Sequence, residues 1–311
     1  MLRDQINRYV AMHRALGYKY RVQNYLLQSF AHFAEAEGDT HVRSKTVIKW
    51  AGLAPSVLQK RNRLLTVRRF AIAVHAEDCR HEVPPSDVFG HQTAKRKIRH
   101  LFSSEDIKSL LNAASRLKPE GSIRPKTYST LFALLATTGL RSCEAIALNI
   151  EDITQDGLLV KSTKFRKDRL VPLHHSAYEA LQRYLLCRRP FNDITSPFFV
   201  SNNGARLSYS TINDIFLQLT RSIGLRGLPG EAGPCMHDLR HTFAVRSLEQ
   251  CSGSRAEISR HMTALSTYLG HAHLSDTYWY LQATPLLFSQ IAMDQETYHG
   301  GKDHVTSCPI S

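Results

Sequence analysis

A segment without hydrophobic periodicity, running from Pro84 to His100, divides this chain of 311 residues into two parts of unequal length. The segment holds paired prolines, a glycine and a cluster of basic residues, a composition typical of a linker between domains. The chain also exceeds the length of one average domain. We therefore predict a helical domain over residues 1–84, a basic linker over 85–100, a second domain over 101–295 and a flexible C-terminal tail over 296–311.

Helical periodicity dominates the N-terminal part. Apolar residues recur at helical spacing through residues 2–33, a short helix is predicted over Ser44–Ala51, and a long helix is predicted to open at Pro55. The long helix is expected to bury Leu58, Leu65, Phe70 and Val74, and to expose Lys60, Arg61, Arg63, Arg68 and Arg69. A basic helix face is often only a solvated surface, but this density of cations favours contact with a phosphate backbone.

The second part combines helices with one short hairpin. Ser103 or Ser104 is expected to cap a helix, an apolar run over 128–138 to form a buried helix that ends at Gly139, and further helices to cover 175–188 and 208–222. Two apolar stretches within 157–173 flank a basic turn and predict a β-hairpin, whose tip carries Lys161, Lys164, Arg166, Lys167 and Arg169. The predicted fold class is mainly α with a small β-hairpin sheet, an α+β domain behind an all-helical one.

The net charge restricts the partner. Lys and Arg number 40 against 27 Asp and Glu, which gives a formal charge of +13. A polyanion is therefore expected, with nucleic acid first and an anionic membrane surface second. No apolar run is long enough to span a membrane, and the N-terminus lacks the apolar core of a signal peptide, so we expect a cytoplasmic protein.

The cysteines are scattered without any CxxC pair. We interpret them as small core residues or free thiols, not as disulfides or metal ligands. They are Cys79, Cys143, Cys187, Cys235, Cys251 and Cys308.

The motif HDLRHTFA places His237, Arg240 and His241 at helical spacing, so all three project from one side of a helix. A guanidinium fork beside imidazoles suits the oxygens of a phosphate. Two alternatives remain. The side chains could be the polar stripe of an amphipathic helix, or the two histidines could bind zinc in the i, i+4 manner. The zinc motif requires a Glu after the first His, where this chain has Asp238, and no third ligand is evident.

Arg141 and Glu144, three residues apart, also allow two interpretations. The pair could be a plain surface ion pair, or Glu144 could hold Arg141 in place for a ligand.

Taken in order, these residues resemble the tyrosine recombinase (phage integrase) family. The matching segments are TTGLRSCEAIAL, KFRKDRLVPL, HDLRHTFA and LGH followed by a tyrosine nine residues later. The resemblance covers residues 97–293 closely, and the N-terminal helical part is similar to the core-binding domain of the family by position and type. The ending LSTYLGHxxxxxTYWYLxATP is similar to transposon- and plasmid-borne recombinases. His237 and His271 are 34 residues apart, longer than usual in the family, which predicts a small insertion within SGSRAEISRHMTALST.

The resemblance implies a role for each residue of a catalytic set. Arg141 and Arg240 would stabilise charge on the non-bridging phosphate oxygens, and Lys164 would protonate the leaving 5′ oxygen. His237 would exchange a proton with the tyrosine, and His271 would donate a hydrogen bond to the phosphate. Tyr280 would form the covalent 3′-phosphotyrosine, which stores the phosphodiester energy without ATP. No metal and no cofactor is expected.

The choice of tyrosine and the DNA contacts are further expectations. Tyr278 and Tyr280 project about 200° apart on a helix, so only one can face the arginines. Spacing from the LGH segment favours Tyr280, and Tyr278 is expected to pack with Trp279 as a core ring. Predicted DNA-binding residues are Lys60, Arg61, Arg63, Arg68, Arg69, Lys95, Arg96, Lys97, Arg166 and Lys167.

The predicted function is that of a site-specific recombinase or integrase acting on duplex DNA. The resemblance implies a synaptic homotetramer, alone or with sister recombinases, that is nucleoid-associated when bound to DNA. The alternative from another class is a non-catalytic DNA-binding accessory subunit of a recombinase or transposition complex.

Overall fold

The computed structural model of the protein describes residues 2–90, 99–161, 168–188, 197–251, 254–271, 273 and 275–281. The chain divides into two compact units, Met1–Lys97 and Ile98–Ser311. The predicted linker lies partly outside the described residues, and the predicted C-terminal tail lies wholly outside them.

The N-terminal unit is helical, as its periodicity predicts. Its helices are α1 (Leu2–Ala15), α2 (Arg21–Ala36), α3 (Ser44–Gly52) and α4 (Val57–Glu77). The apolar faces of these helices meet in one core, where Phe30 packs edge to face against Trp50. Phe70 of α4 packs in the same way against Tyr9 of α1.

Two details of α4 correct the sequence interpretation. The helix does not open at Pro55, because the Ser56 side chain accepts a hydrogen bond from the Gln59 N–H and forms the N-cap. Leu58 is exposed, and Leu64 rather than Leu65 lies fully in the core, because Leu64 shares the i, i+3 face of α4 with the buried Val67 and Phe70.

The second unit is mainly helical with a small sheet. Its described helices are α5 (Ser104–Ser115), α6 (Arg124–Thr138), α7 (Ser142–Ala147), α8 (His175–Arg188), α9 (Tyr209–Ser222), α10 (Met236–Glu249), α11 (Arg255–Leu269) and α12 (Ser275–Leu281). Ser103 caps α5, and Gly139 ends α6 in the left-handed conformation. The main core contains a row of rings in which Phe216 contacts both Phe102 and Phe132 edge to face.

The predicted hairpin belongs to an antiparallel sheet with the strand order β1–β2–β3. The strands are β1 (Ile153–Thr154), β2 (Gly157–Val160) and β3 (Arg169–Val171). Leu158 pairs with Val171, and both are fully buried. Residues 162–167 of the hairpin tip lie outside the described residues.

A separate apolar cluster joins the last helices. Val245 and Leu248 of α10, Met262 and Leu265 of α11, and Tyr280 of α12 are buried in it. The segment predicted to hold an insertion forms α11 from Arg255 onward, with a capping box at Ser254. In the described part of the chain, no helix is both long and apolar enough to cross a membrane.

The cysteines are free thiols where the structure describes them. Cys79 and Cys143 are exposed, and Cys187, Cys235 and Cys251 are half-buried. Of the two interpretations given above, Cys143 is therefore a free thiol and not a core residue.

Candidate active site

The helix predicted for the HDLRHTFA motif is α10, which begins directly after its N-cap, Cys235. The buried Asp238 carboxylate accepts a hydrogen bond from the Cys235 N–H at 2.9 Å and lies 3.5 Å from the Arg99 guanidinium. The Asp238 carboxylate therefore takes part in capping the N-terminus of α10 and is not free to act as a metalloprotease base. Among the described residues, neither His237 nor His241 belongs to a group of three side chains that could hold a metal ion.

Arg240 joins the ends of two helices that are distant in sequence. It is 2% exposed, and its guanidinium donates to the carbonyl oxygens of Gly139 at 2.8 Å and Leu269 at 2.7 Å. Gly139 ends α6 with a φ of 59°, and a Cβ there would lie 2.5 Å from Cδ1 of Phe243. Glycine is therefore required for α6 to approach α10 so closely.

Glu144 is buried between two arginines. Arg141 places Nη1 2.8 Å from Oε1, and its backbone N–H donates to Oε2 at 3.0 Å. Arg169 reaches the same carboxylate with Nη1 3.1 Å from Oε1 and Nη2 2.8 Å from Oε2. Burial acts to raise the pKa of Glu144, but the hydrogen bonds and charges of Arg169 and Arg141 outweigh burial and hold this pKa below its usual range. This is not a plain surface ion pair, because the Glu144 side chain is 6% exposed.

The same arginines meet at the C-terminus of α11. Arg169 Nε donates to the Tyr268 carbonyl at 2.9 Å, Arg240 to that of Leu269, and Arg141 Nη2 to that of Gly270 at 3.0 Å. The last carbonyls of a helix lack intrahelical partners and carry the negative end of the helix dipole. The turn that carries His271 is therefore hydrogen-bonded to the three arginines through three successive backbone carbonyl groups.

Helix α12 separates the two candidate tyrosines. Tyr280 is 5% exposed, and its ring centroid lies 5.1 Å from that of His241 and 5.9 Å from that of His271. Tyr280 also interacts electrostatically with Arg240. Tyr278 is 51% exposed, so the expectation that it packs as a core ring is wrong. The physical reason is the rotation of about 200° between positions two apart on a helix.

Both histidines of the predicted catalytic set are held neutral near pH 7. Burial, with the charges of Arg240 and Arg141, lowers the pKa of His271 to about 4. His237 lies at the surface, but partial burial of its ring, with the charges of Arg240 and Arg99, also lowers its pKa to about 4. A neutral imidazole can accept a proton as well as donate a hydrogen bond.

The structure thus brings Arg141, Arg240, His271 and Tyr280 into one connected set of contacts, with His237 on the first turn of α10. Lys164 lies outside the described residues, as do the predicted DNA-binding residues Lys95, Arg96, Lys97, Arg166 and Lys167.

Sequence reasoning missed the inward direction of Arg169. It was expected at the basic tip of the hairpin with the other cations, but its side chain is 12% exposed. The alternation of β3 carried the signal: Val171 is buried and Leu170 is exposed, so Arg169 shares the buried face.

The basic side chains of α4 differ in their surroundings. Arg69 is exposed, whereas Lys60 and Arg61 are half-buried. Arg63 lies 5.2 Å from the Trp50 ring centroid and donates to the Trp50 carbonyl at 3.3 Å. Arg68 donates to the Pro84 carbonyl at 3.3 Å. Arg63 and Arg68 therefore also stabilise the N-terminal unit.

A group of ligand-type side chains in the N-terminal unit comprises His41, Asp78 and His81. Arg80 donates to the Asp78 carboxylate at 2.7 Å, and the backbone N–H of Val42 donates to Nδ1 of His81 at 3.0 Å. These hydrogen bonds account for the positions of Asp78 and His81 within the helical fold.

Comparison with known proteins agrees with this geometry. The model of the phage integrase family matches residues 100–286. A Sinorhizobium fredii protein of the integrase/recombinase class, y4rB, is 39% identical over 299 residues, which span 93% of this chain and 95% of the relative. Tyrosine recombinase XerC of Thermodesulfovibrio yellowstonii is 26% identical over 267 residues, or 82% of each chain.

Solved structures share the fold. The XerH site-specific recombinase bound to its difH substrate matches with a TM-score of 0.63 and 19% identity, over 89% of this chain and 79% of that one. The Tn1549 transposon integrase in complex with transposon right end DNA matches with a TM-score of 0.62 and 16% identity, over 89% and 93%. The chain therefore belongs to the phage integrase family, the family of the tyrosine recombinases.

Proposed function

We propose that this protein is a site-specific DNA recombinase of the integrase type that cleaves and rejoins duplex DNA through a covalent 3′-phosphotyrosine on Tyr280. The observation that carries the proposal is the position of Tyr280, a buried tyrosine between two imidazoles and in electrostatic contact with a buried arginine. This position supports attack by the phenol on a phosphorus atom bound by the arginines.

The arginines supply charge stabilisation. Arg141 and Arg240 are each held on one side by backbone carbonyls, so their remaining N–H groups have a fixed direction. Donors that are fixed before the reaction stabilise the charge that develops on the non-bridging oxygens without reorganising during the step. His271, on the turn fastened to both arginines, donates a hydrogen bond to the same phosphate.

The remaining residues move protons. His237, neutral at pH 7, accepts the proton of the attacking phenol, and Lys164 donates one to the leaving 5′ oxygen. The Tyr280 oxygen–phosphorus bond forms as the bond from phosphorus to the 5′ oxygen breaks. Rejoining reverses these steps with a 5′ hydroxyl of another strand, so no ATP and no metal ion enter the proposed mechanism.

The assembly and location follow from the substrate. Membership of the family and the +13 charge support duplex DNA as the partner, with a homotetramer in synapsis, alone or with sister recombinases. Exposed cations of α4, together with the linker and the hairpin tip, are the proposed phosphate contacts. A recombinase of this kind acts in the cytoplasm and is associated with the nucleoid when bound to DNA.

The test uses a nicked duplex whose sequence is taken from the junctions of the element that encodes the protein. The nick frees a short fragment that carries the new 5′ hydroxyl. This fragment diffuses away and cannot reseal the strand, so the covalent adduct accumulates. The wild-type protein should give an adduct that peptide mapping assigns to Tyr280. Tyr280→Phe removes only the hydroxyl and should bind the duplex without forming the adduct.

Tyr278→Phe is the matched control, because the same change is made two residues away on the exposed side of α12. It should form the adduct at the wild-type rate. An adduct on Tyr278, or one that persists in Tyr280→Phe, contradicts the assignment. A wild-type protein that binds the duplex but never forms an adduct supports the accessory-subunit alternative.

A further inference from the structure

Arg169 is a basic residue of the hairpin to which the proposed mechanism gives no role. It is the first residue of β3, and the structure turns its side chain into the protein. A buried cation is costly unless each of its donors has a partner. Here Nε bonds to the Tyr268 carbonyl, and Nη1 and Nη2 both bond to Glu144.

The carboxylate of Glu144 is shared in a way that affects Arg141. Its two oxygens accept hydrogen bonds from the Arg141 side chain, the Arg141 backbone and the Arg169 guanidinium. One carboxylate between two guanidinium groups leaves the cluster with a net charge of about +1. Without Arg169, Glu144 would neutralise Arg141, and the arginine would approach a phosphate as part of a neutral pair.

Arg169 also packs against the turn that carries His271. Gly270 has a φ of 67°, and a Cβ there would lie 2.9 Å from Nη1 of Arg169. The guanidinium thus fills the space beside Gly270 while its Nε holds the Tyr268 carbonyl. A change at Arg169 therefore affects Arg141 through their shared partner Glu144. It also affects His271, through the end of α11.

We propose that Arg169 is a positioning residue of the recombination site: by binding Glu144 and the end of α11, it holds Arg141 in place and keeps Glu144 from neutralising the Arg141 charge alone. It does not touch the DNA and acts through Arg141 and His271 at the non-bridging oxygens. The inference rests on the proposed function, since it concerns the same cleavage step.

The experiment measures single-turnover cleavage of three nicked duplexes of identical sequence. The first has a normal scissile phosphodiester, the second a 5′-bridging phosphorothiolate, and the third a methylphosphonate. The sulfur of the second leaves without protonation, so it relieves a defect in the general acid. The third has lost one negative charge, so it relieves a defect in charge stabilisation.

Arg169→Gln should slow cleavage of the normal phosphodiester by about tenfold or more, less than the roughly 100- to 1,000-fold loss typical when a donor to the reacting oxygens is removed. The defect should shrink on the methylphosphonate and persist on the phosphorothiolate. Arg169→Lys should be intermediate, because lysine keeps the charge but cannot bond both oxygens of Glu144 at once.

Arg206→Gln is the matched control. Arg206 also donates to backbone carbonyls in this unit, those of Ile146 and Leu148, and among the described residues its hydrogen bonds do not involve the proposed site. It should cleave all three duplexes at the wild-type rate. Folding of each variant is checked by thermal unfolding and by binding to the duplex.

Three results would overturn the inference. Cleavage by Arg169→Gln within about twofold of wild type would remove any positioning role. A cleavage defect that shrinks on the phosphorothiolate would show that Arg169 supports the proposed acid Lys164 and not Arg141. An equal defect on all three duplexes with a lowered melting temperature, repeated in Arg169→Lys, would show a structural role alone. Failure of the proposed function is a different result, in which the wild-type protein cleaves none of the duplexes.

Discussion

Thr277 holds the imidazole of His271, with its Oγ1 2.8 Å from Nδ1. Thr277 is fully buried at the start of α12, three residues before Tyr280. The hydroxyl occupies one nitrogen of the ring, so Nε2 is the atom left to face a phosphate. The helix that carries the proposed nucleophile therefore also orients a proposed phosphate ligand.

Removal of this hydroxyl tests the relationship. Thr277→Val keeps the size and branching of the side chain but cannot hydrogen-bond His271. We expect cleavage to slow by about tenfold, because the net value of one such hydrogen bond is about 1.4 kcal/mol or less. Single-turnover cleavage of the nicked duplex measures the effect, with Thr277→Ser as the control that keeps the hydroxyl. Equal rates for the Val and Ser variants would show that His271 is oriented by other contacts.

Acid should destabilise the protein through histidines whose pKa is lowered in the fold. The pKa of His271 is lowered to about 4 in the fold, and that of His81 is lowered by burial and by His41. A histidine with a lowered folded pKa contributes stability that is present above pH 6.5 and is lost as the pH falls toward the folded pKa. Melting temperatures should therefore fall between pH 6.5 and 4.5.

The control for the pH effect is His81→Gln, which removes one titrating ring from the N-terminal unit. Several ionisable groups surround that ring: His41, His75, Asp78 and Arg80. The melting temperature of this variant should fall less steeply below pH 6.5 than that of the wild-type protein. A melting temperature that rises on acidification over the same range would contradict the sign of the argument.

DNA binding should depend steeply on salt, with individual contributions from exposed cations of α4. Arg69→Gln should reduce the slope of log K against log salt by about 0.9, as expected for one lost phosphate contact. Arg63→Gln should mainly lower the melting temperature, because Arg63 packs on Trp50. Fluorescence anisotropy with a labelled duplex measures both slopes. An affinity that does not change between low and moderate salt is incompatible with the electrostatic argument.

Lys164→Ala should slow cleavage of a normal phosphodiester far more than cleavage of the phosphorothiolate, because Lys164 is proposed to protonate the leaving oxygen. Lys161 is a poor substitute acid, since the hydrogen bonds that its ammonium group donates to Asp152 and Glu151 raise its pKa further above its usual range. Lys161→Ala is therefore the control, and it should change the cleavage rates of the phosphodiester and the phosphorothiolate duplexes to a similar extent. Equal losses for Lys164→Ala on the two substrates would restrict Lys164 to binding and move the acid role to Lys167.

Chelation provides an independent check on the chemistry. The proposed mechanism assigns charge stabilisation to arginines, so the rate of adduct formation should be the same in excess EDTA as in its absence. Activity that is lost with EDTA and restored by zinc or magnesium would revive the interpretation of His237 and His241 as metal ligands.

Local features of the structure were predictable from sequence. The helix over 128–138 with its Gly139 end, the hairpin within 157–173 and the helix of the HDLRHTFA motif depend on periodicity and on capping residues close by in the chain. The spacing between the LGH segment and Tyr280 likewise follows from the sequence. These features involve residues that lie near each other in the chain.

Only the tertiary structure decided which side chains turn inward. The sequence shows Arg169 as one cation among several, but the fold of β3 against Glu144 and the end of α11 buries it. The spacing from the LGH segment favours Tyr280 over Tyr278, but only the packing of α12 on His241 and His271 buries one ring and exposes the other. The bonds from Arg240 to Gly139 and Leu269 join residues 101 and 29 positions away in the chain. Such contacts depend on how whole helices pack, which local pattern cannot specify, and they are the contacts that assemble the site.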